Sequence, residues 1–211
     1  MTMSVLSFCR YLSIQRGEKW REEDYGAWMF VKAAKEEVFK GYSHLDIDGH
    51  RKTFRDSDDG NTAKARAWFG ELVGGLKWSP KKVYLAPIPD SGCTTAARRL
   101  SKTHPLAVAA VGNLKIASLW DGLRFKKALM KSREGGPRDV PTLYKNIEVI
   151  LPVPTDAQII LIDDVCTGGG HLMAAAKRII EGGGKCDFAI CVARTANDQT
   201  RSAQGALTDT L

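Results

Sequence analysis

No apolar stretch in this 211-residue chain approaches the roughly 18 residues that a membrane-spanning helix requires; the longest lie at residues 149–153 and 157–162. Residues 1–14 also lack the basic start and long apolar centre of a secretory leader, so a cytoplasmic protein with no membrane partner is expected. Cysteine is sparse. Cys9, Cys93, Cys166, Cys186 and Cys191 are odd in number and form no C-x-x-C pair, which argues against a disulfide framework or zinc ribbon and predicts reduced thiols. The scattered tryptophans form no stripe suited to stacking single-stranded nucleic acid. The ATPase phosphate-loop pattern G-x-x-x-x-G-K-[ST] is also missing: its nearest approach, Gly182-Gly183-Gly184-Lys185-Cys186, lacks the hydroxyl residue and follows a predicted helix. Acidic residues are outnumbered 24 to 31, and the resulting net charge of +7 points to a phosphate-bearing partner. A sugar phosphate, a nucleotide or nucleic acid would each satisfy it, nucleic acid being the less favoured.

The length suits one main core with an added segment. Helical spacing of Trp28, Val31, Ala34 and Val38 predicts a helix over residues 21–40, and a second helix is expected over 63–76. The polar stretch 41–60 between them has loop or short-hairpin composition. Residues 82–89 read as a strand that stops at prolines, then Asp90-Ser91-Gly92, then a helix over 93–102. A further strand at 115–120 leads into a basic insertion carrying Arg124, Lys126, Lys127, Lys131, Arg133 and Arg138, interrupted by Gly135-Gly136-Pro137. Strand 158–165, a glycine turn, helix 172–181 and strand 187–193 complete the pattern. This alternation predicts an α/β fold: a mostly parallel central sheet flanked by helices. Residues 81–211 would form the core, with a mobile or hairpin-like loop at about 121–147, and residues 1–80 an N-terminal helical and loop extension or hood.

The most informative segment is Ile159-Ile160-Leu161-Ile162-Asp163-Asp164-Val165-Cys166-Thr167-Gly168-Gly169-Gly170-His171. An apolar strand ends on paired carboxylates and opens through glycines into a helix, whose first N–H groups and positive dipole end favour an anion. The carboxylates suggest sugar hydroxyls or a magnesium ion. Ligands of parallel α/β sheets bind outside the carboxyl ends of the strands, where Asp90-Ser91-Gly92 is also expected, so the two loops are predicted to converge.

The acidic pair, the threonine/glycine turn, the strand ending P-x-P, the basic insertion, Asn146 and the closing Ala193-Arg194-Thr195 together resemble type I phosphoribosyltransferases, most closely their ComF-like branch, over roughly half the chain. The resemblance implies a phosphoribosyl pyrophosphate (PRPP) site using magnesium. Asp163 and Asp164 would be its catalytic pair, contacting the ribose hydroxyls and orienting magnesium mostly through water. Val165, Cys166, Thr167, Gly168, Gly169, Gly170 and His171 would hold the sugar phosphate. Asp90, Ser91 and Gly92 would form the pyrophosphate loop, and Arg124, Lys126, Lys127, Lys131 and Arg133 would belong to a closing hood. The implied reaction transfers the phosphoribosyl group to an amine or nitrogenous base and releases pyrophosphate. The acceptor is not legible, its contacts being expected in the hood and around residues 195–198; a homodimer is left open. Family members commonly read D-D-x-x-T-T-G-x-T, with threonine where Gly168 and His171 stand here.

Two alternatives accompany this reading. A non-catalytic protein on the same fold would bind nucleotides or nucleic acid. The string Leu45-Asp46-Ile47-Asp48-Gly49 also resembles the D-x-D-G motif of haloacid-dehalogenase-type phosphatases, with Asp46 as nucleophile and Asp48 as acid/base. His44, Asp46, Asp48 and His50 alternate as metal ligands on one strand face would, although a solvated hairpin accounts for the same spacing.

Overall fold

The computed structural model describes residues 2–13, 19–97, 99–130, 134–196 and 204–211. The run Gln158–Cys166 forms strand β8 at the middle of a six-stranded sheet. Its side chains alternate: Ile160 and Ile162 enter one core, Ile159 and Leu161 the other. Burial on both faces is what a parallel strand covered by helices requires, and it explains the unbroken apolar run. β8 pairs in parallel with β4 (Val83–Pro87) and with β9 (Lys185–Ala196), and β4 pairs in parallel with β5 (Ala117–Leu119). The expected α/β class, with a mostly parallel central sheet, is thus the fold adopted.

One correction concerns the N-terminus. Ser4–Leu12, which falls in the segment expected to be a helical and loop extension, is strand β1, parallel to β9 and buried over most of its length. Its other edge carries the antiparallel strand β10 (Gln204–Thr210), which the sequence reading did not include. Both strands find their partners far along the chain, a relation local patterning does not encode.

Helices α1 (Glu22–Ala34), α2 (Asn61–Gly74) and α3 (His104–Asn113) belong to the layer whose core contains Phe8, Phe30 and Phe69. Helices α4 (Val140–Asn146) and α5 (Gly170–Glu181) belong to the opposite layer. Asp24, almost fully buried, ties β1 to α1 by accepting the N–H groups of Leu12 and Arg21, each at 3.0 Å.

α1 stops earlier than its apolar spacing suggests. The N–H groups of Glu36 and Glu37 donate back to Ala33 O at 3.0 Å and Lys32 O at 2.8 Å, while Glu36 takes φ +59°. This is a Schellman ending with glutamate in the left-handed position that glycine usually fills, so no residue announces the stop. Val38, assigned to the helical stripe, lies beyond it and is 90% exposed.

The described residues of 93–102 do not form the expected helix either. Asp90 accepts the backbone N–H groups of Gly92 and Lys102, Thr94 accepts that of Ala97, and Thr103 donates to Ile88 O, so side chains organise a loop in place of a helical ladder. The helix begins only at His104-Pro105, where proline's missing N–H costs nothing. The basic insertion is hairpin-like at its base: β6 (Leu123–Phe125) pairs antiparallel with β7 (Ile147–Val149), and α4 lies between them. No helix among the described residues is long and apolar enough to cross a membrane.

Candidate active site

The carboxyl ends of β1, β9, β8 and β4 open onto a cleft of about 850 Å3. Tyr11 and Ser13 reach it from the end of β1, Thr195 from β9, and Asp163 and Asp164 from β8. Asp90, Ser91 and Gly92 face it from the loop after β4, so the two segments predicted to converge line one cavity.

Gly169 precedes α5 with φ +71°, which turns the chain sharply into the helix. The first-turn N–H groups of α5 are free of intrahelical partners by construction and lie at the cleft. Gly170 is equally constrained: a Cβ there would stand 2.1 Å from the carbonyl oxygen of Arg138, so the returning limb of the basic insertion rests directly on this turn. The outgoing limb is tied to the facing loop, because Leu129 N–H donates to Ser91 O at 3.1 Å and Phe125 N–H to Cys93 O at 3.0 Å. Turn, loop and insertion therefore form one connected rim.

At the acidic pair, Asp163 Oδ1 accepts the Asp164 N–H at 2.8 Å, and Asp164 Oδ1 accepts the Val165 N–H at 2.6 Å. Burial, followed by the neighbouring Asp164 charge, pushes the Asp163 carboxyl well above the usual carboxylate range. Asp164 instead meets a cation, Lys35 Nζ, at 3.0 Å from its Oδ2. Burial works against the Lys35 ammonium, but Asp164 and Glu37 outweigh it and hold its pKa above the ordinary lysine value. Glu37 gathers Lys32 at 2.7 Å, Lys35 at 3.5 Å and Lys102 at 3.8 Å. Burial raises its pKa, yet the Lys32 hydrogen bond and the lysine charges bring the net shift below the usual value.

The remaining predicted residues fall into distinct groups. Asp90 uses its carboxylate to organise its own loop, pairing with Arg99 and with backbone N–H groups. Cys166 is buried in the core beside Leu172 and Cys191. The Cys191 thiol hydrogen-bonded to it holds its pKa below the ordinary thiol value against the opposing effect of burial. His171 meets the edge of the Phe125 ring at 6.1 Å, and burial keeps its pKa below the ordinary imidazole value. Arg124 is bound to Asp121 at 2.6 Å and borders a separate small hollow, while Lys126 and Lys127 are exposed and outside the cleft lining. Lys131 and Arg133 lie outside the described residues, as do 197 and 198. Among the described cations of the insertion it is Arg138 that lines the cleft, beside Leu129, Met130 and Pro137.

The sequence reading missed the wall formed by Tyr11, Trp28, Lys32, Lys35 and Glu37. The usable signal was Trp28, Lys32 and Lys35 recurring at helical spacing around the end of α1, but it became meaningful only once β1 was placed in the sheet. The D-x-D-G reading is corrected by the fold. Asp46 and Asp48 sit in and beside the hairpin of β2 (Tyr42–Ile47) and β3 (His50–Arg55), outside the central sheet, where Asp46 accepts the Gly49 N–H at 2.9 Å as a turn former. His44 is hydrogen-bonded to Thr53, and among the described residues no group of three or more metal-ligand side chains assembles.

No protein-family model and no curated protein sequence matches the chain. Among solved structures, it is similar to an adenine phosphoribosyltransferase from Thermoanaerobacter pseudethanolicus, with TM-score 0.39 and 13% identity over 72% of this chain and 94% of that one. A similar match is the adenine phosphoribosyltransferase from Leishmania donovani, with TM-score 0.38 and 15% identity over 83% of this chain and 77% of that one.

Proposed function

We propose that the cleft binds PRPP and transfers its phosphoribosyl group to an amine or nitrogenous base, releasing pyrophosphate, as type I phosphoribosyltransferases do. The observation that carries this reading is the meeting of the acidic pair, the glycine turn at the α5 N-terminus and the Asp90–Gly92 loop on one cleft. In it the α5 turn holds the sugar 5′-phosphate, Asp163 and Asp164 accept the ribose hydroxyls, and Arg99, Lys102 and the Ser91-Gly92 backbone receive the pyrophosphate. No protein nucleophile is needed. The C1–oxygen bond loosens toward an oxocarbenium-like sugar, negative charge gathers on the leaving pyrophosphate, and the acceptor's lone pair closes on C1. Two adjacent carboxylates are a hard-oxygen donor set suited to magnesium, which takes one or two carboxylates and keeps several waters. Bound there, it would neutralise the departing pyrophosphate.

Calorimetric titration with PRPP and magnesium, followed by pyrophosphate release across bases, amines and ammonia, tests this reading. Absence of saturable PRPP binding would overturn it. A second reading, ligand sensing without turnover, is favoured by the missing hydroxyls at Gly168 and His171; it predicts binding without pyrophosphate release from any acceptor. Gly168→Thr probes the difference. A Cβ at Gly168 meets nothing within 4 Å, so the variant is expected to melt like the wild type. One added hydrogen bond to a charged phosphate should tighten PRPP binding about tenfold.

The acceptor is assigned to the wall of Tyr11 and Trp28. Trp28→Leu is expected to raise the acceptor KM about tenfold while leaving the PRPP dissociation constant unchanged, since the ring stands on α1 and the phosphate turn leads into α5. Equal loss for both substrates in steady-state kinetics would refute that assignment.

A further inference from the structure

Lys35 stands where a cation would be expected to enter. It caps α1, and the Schellman turn that follows brings Glu37 back beside it. Its ammonium lies 3.0 Å from Asp164 Oδ2 and 3.5 Å from Glu37 Oε1, and its side chain is only 24% exposed. Asp164 Oδ1 is meanwhile occupied by the Val165 N–H, so both oxygens of this carboxylate have partners inside the protein.

A divalent cation seated against Asp164 would meet this ammonium at close range, inside a cleft where charges are screened less than in water. Lys35 can leave. Its four-carbon stem is flexible, an ammonium binds phosphate as readily as carboxylate, and Lys32 and Lys102 would still neutralise Glu37 after its departure.

We infer that Lys35 is the resident counter-ion of the acidic pair. In the free protein it denies Asp164 to a divalent cation; when a phosphorylated sugar arrives it swings toward the phosphate, so that the cation enters together with the sugar. The second half rests on the PRPP reading, whereas the first half concerns the free protein alone.

Manganese, read by the electron paramagnetic resonance of the unbound ion, tests the first half on the full chain without substrate. Lys35→Met is expected to bind manganese about tenfold more tightly than the wild type, a 1.4 kcal/mol change. Lys35→Arg keeps the charge and should match the wild type. Adding Asp164→Asn to Lys35→Met should abolish the gain. Lys35→Gln removes the same charge with a polar side chain and serves if the methionine variant does not fold by circular dichroism. Charge-removing variants that bind manganese no tighter than the wild type overturn the inference, as does an arginine variant that binds as tightly as they do. PRPP titration of the wild type separates the two ideas. If PRPP fails to bind while the manganese ranking holds, the proposed function falls and the counter-ion role stands; if PRPP binds and the ranking is flat, the reverse follows.

Discussion

Asp163→Asn is expected to weaken PRPP binding about a hundredfold while making the protein more stable at pH values above the raised pKa of this carboxyl. The loss follows from removing a charged acceptor of one ribose hydroxyl, such a hydrogen bond contributing about 1.5–3 kcal/mol. The gain follows from the raised pKa of Asp163, caused by burial and by Asp164 beside it. Between the ordinary carboxylate value and this raised one, the folded protein holds a proton that the unfolded chain has lost. The stability associated with that proton is complete below the ordinary value and disappears as pH rises through the raised one. Above that window the ionised carboxylate is a burden, which asparagine of nearly the same shape removes. Wild type and variant should therefore melt together in acid and diverge as pH increases, to on the order of 1 kcal/mol in favour of the variant. Thermal melts in parallel pH series check this, because other titrating groups cancel between the two proteins. A variant that gains no stability relative to the wild type as pH rises, or that binds PRPP like the wild type, contradicts the role given to this side chain.

Gly170→Ala should be the most damaging single-methyl addition at the cleft. The new Cβ would press against a backbone carbonyl, Arg138 O at 2.1 Å, so either the α5 N-terminus or the insertion's returning limb must move. Overpacking of this kind costs about 3 kcal/mol, and for a chain of this size that corresponds to a fall of about 6–12 °C in melting temperature. Binding of PRPP should disappear with it, since the displaced groups are the phosphate-facing N–H donors. Gly168→Ala, two residues earlier, has open space and is expected to melt within about a degree of the wild type. Calorimetry of this pair measures the contrast; equal melting temperatures would show that the returning limb does not rest on the α5 turn.

What could be read in advance divides along physical lines. The β8 strand, its acidic end and the turn into α5 were legible because each is encoded locally: a strand buried on both faces needs an apolar run, and a helix entered through φ +71° favours glycine. β1 was not legible, since Ser7 and Arg10 interrupt it and its partners lie near the other end of the chain. Lys35 and Glu37 were hidden for a subtler reason. The sequence around them continues to favour a helix, and only the left-handed Glu36 reveals that the helix has stopped and that these side chains turn to the cleft. Asp90 was placed in the correct loop but given too simple a task, because the N–H groups it accepts come from both ends of that loop. Within the basic insertion, composition pointed to Arg124, Lys126, Lys127, Lys131 and Arg133; among the described residues the fold instead brings Arg138 to the cleft and turns Arg124 toward Asp121.

The position of β1 between β9 and β10 also sets the order in which the molecule can be completed. β1 has its two hydrogen-bonding neighbours at residues 185–196 and 204–210, so the whole intervening chain must be made before either of its edges is covered. Closing so long a loop is entropically slow, and an unpaired apolar strand is exposed to misassociation meanwhile. Arg10, deeply buried in the finished sheet, receives its Asp209 partner at 2.6 Å only with that last strand. The wall that carries Tyr11, which pairs with Thr195, is therefore assembled only once β9 is in place, and a chain stalled before β9 would possess the phosphate turn without the face opposite it.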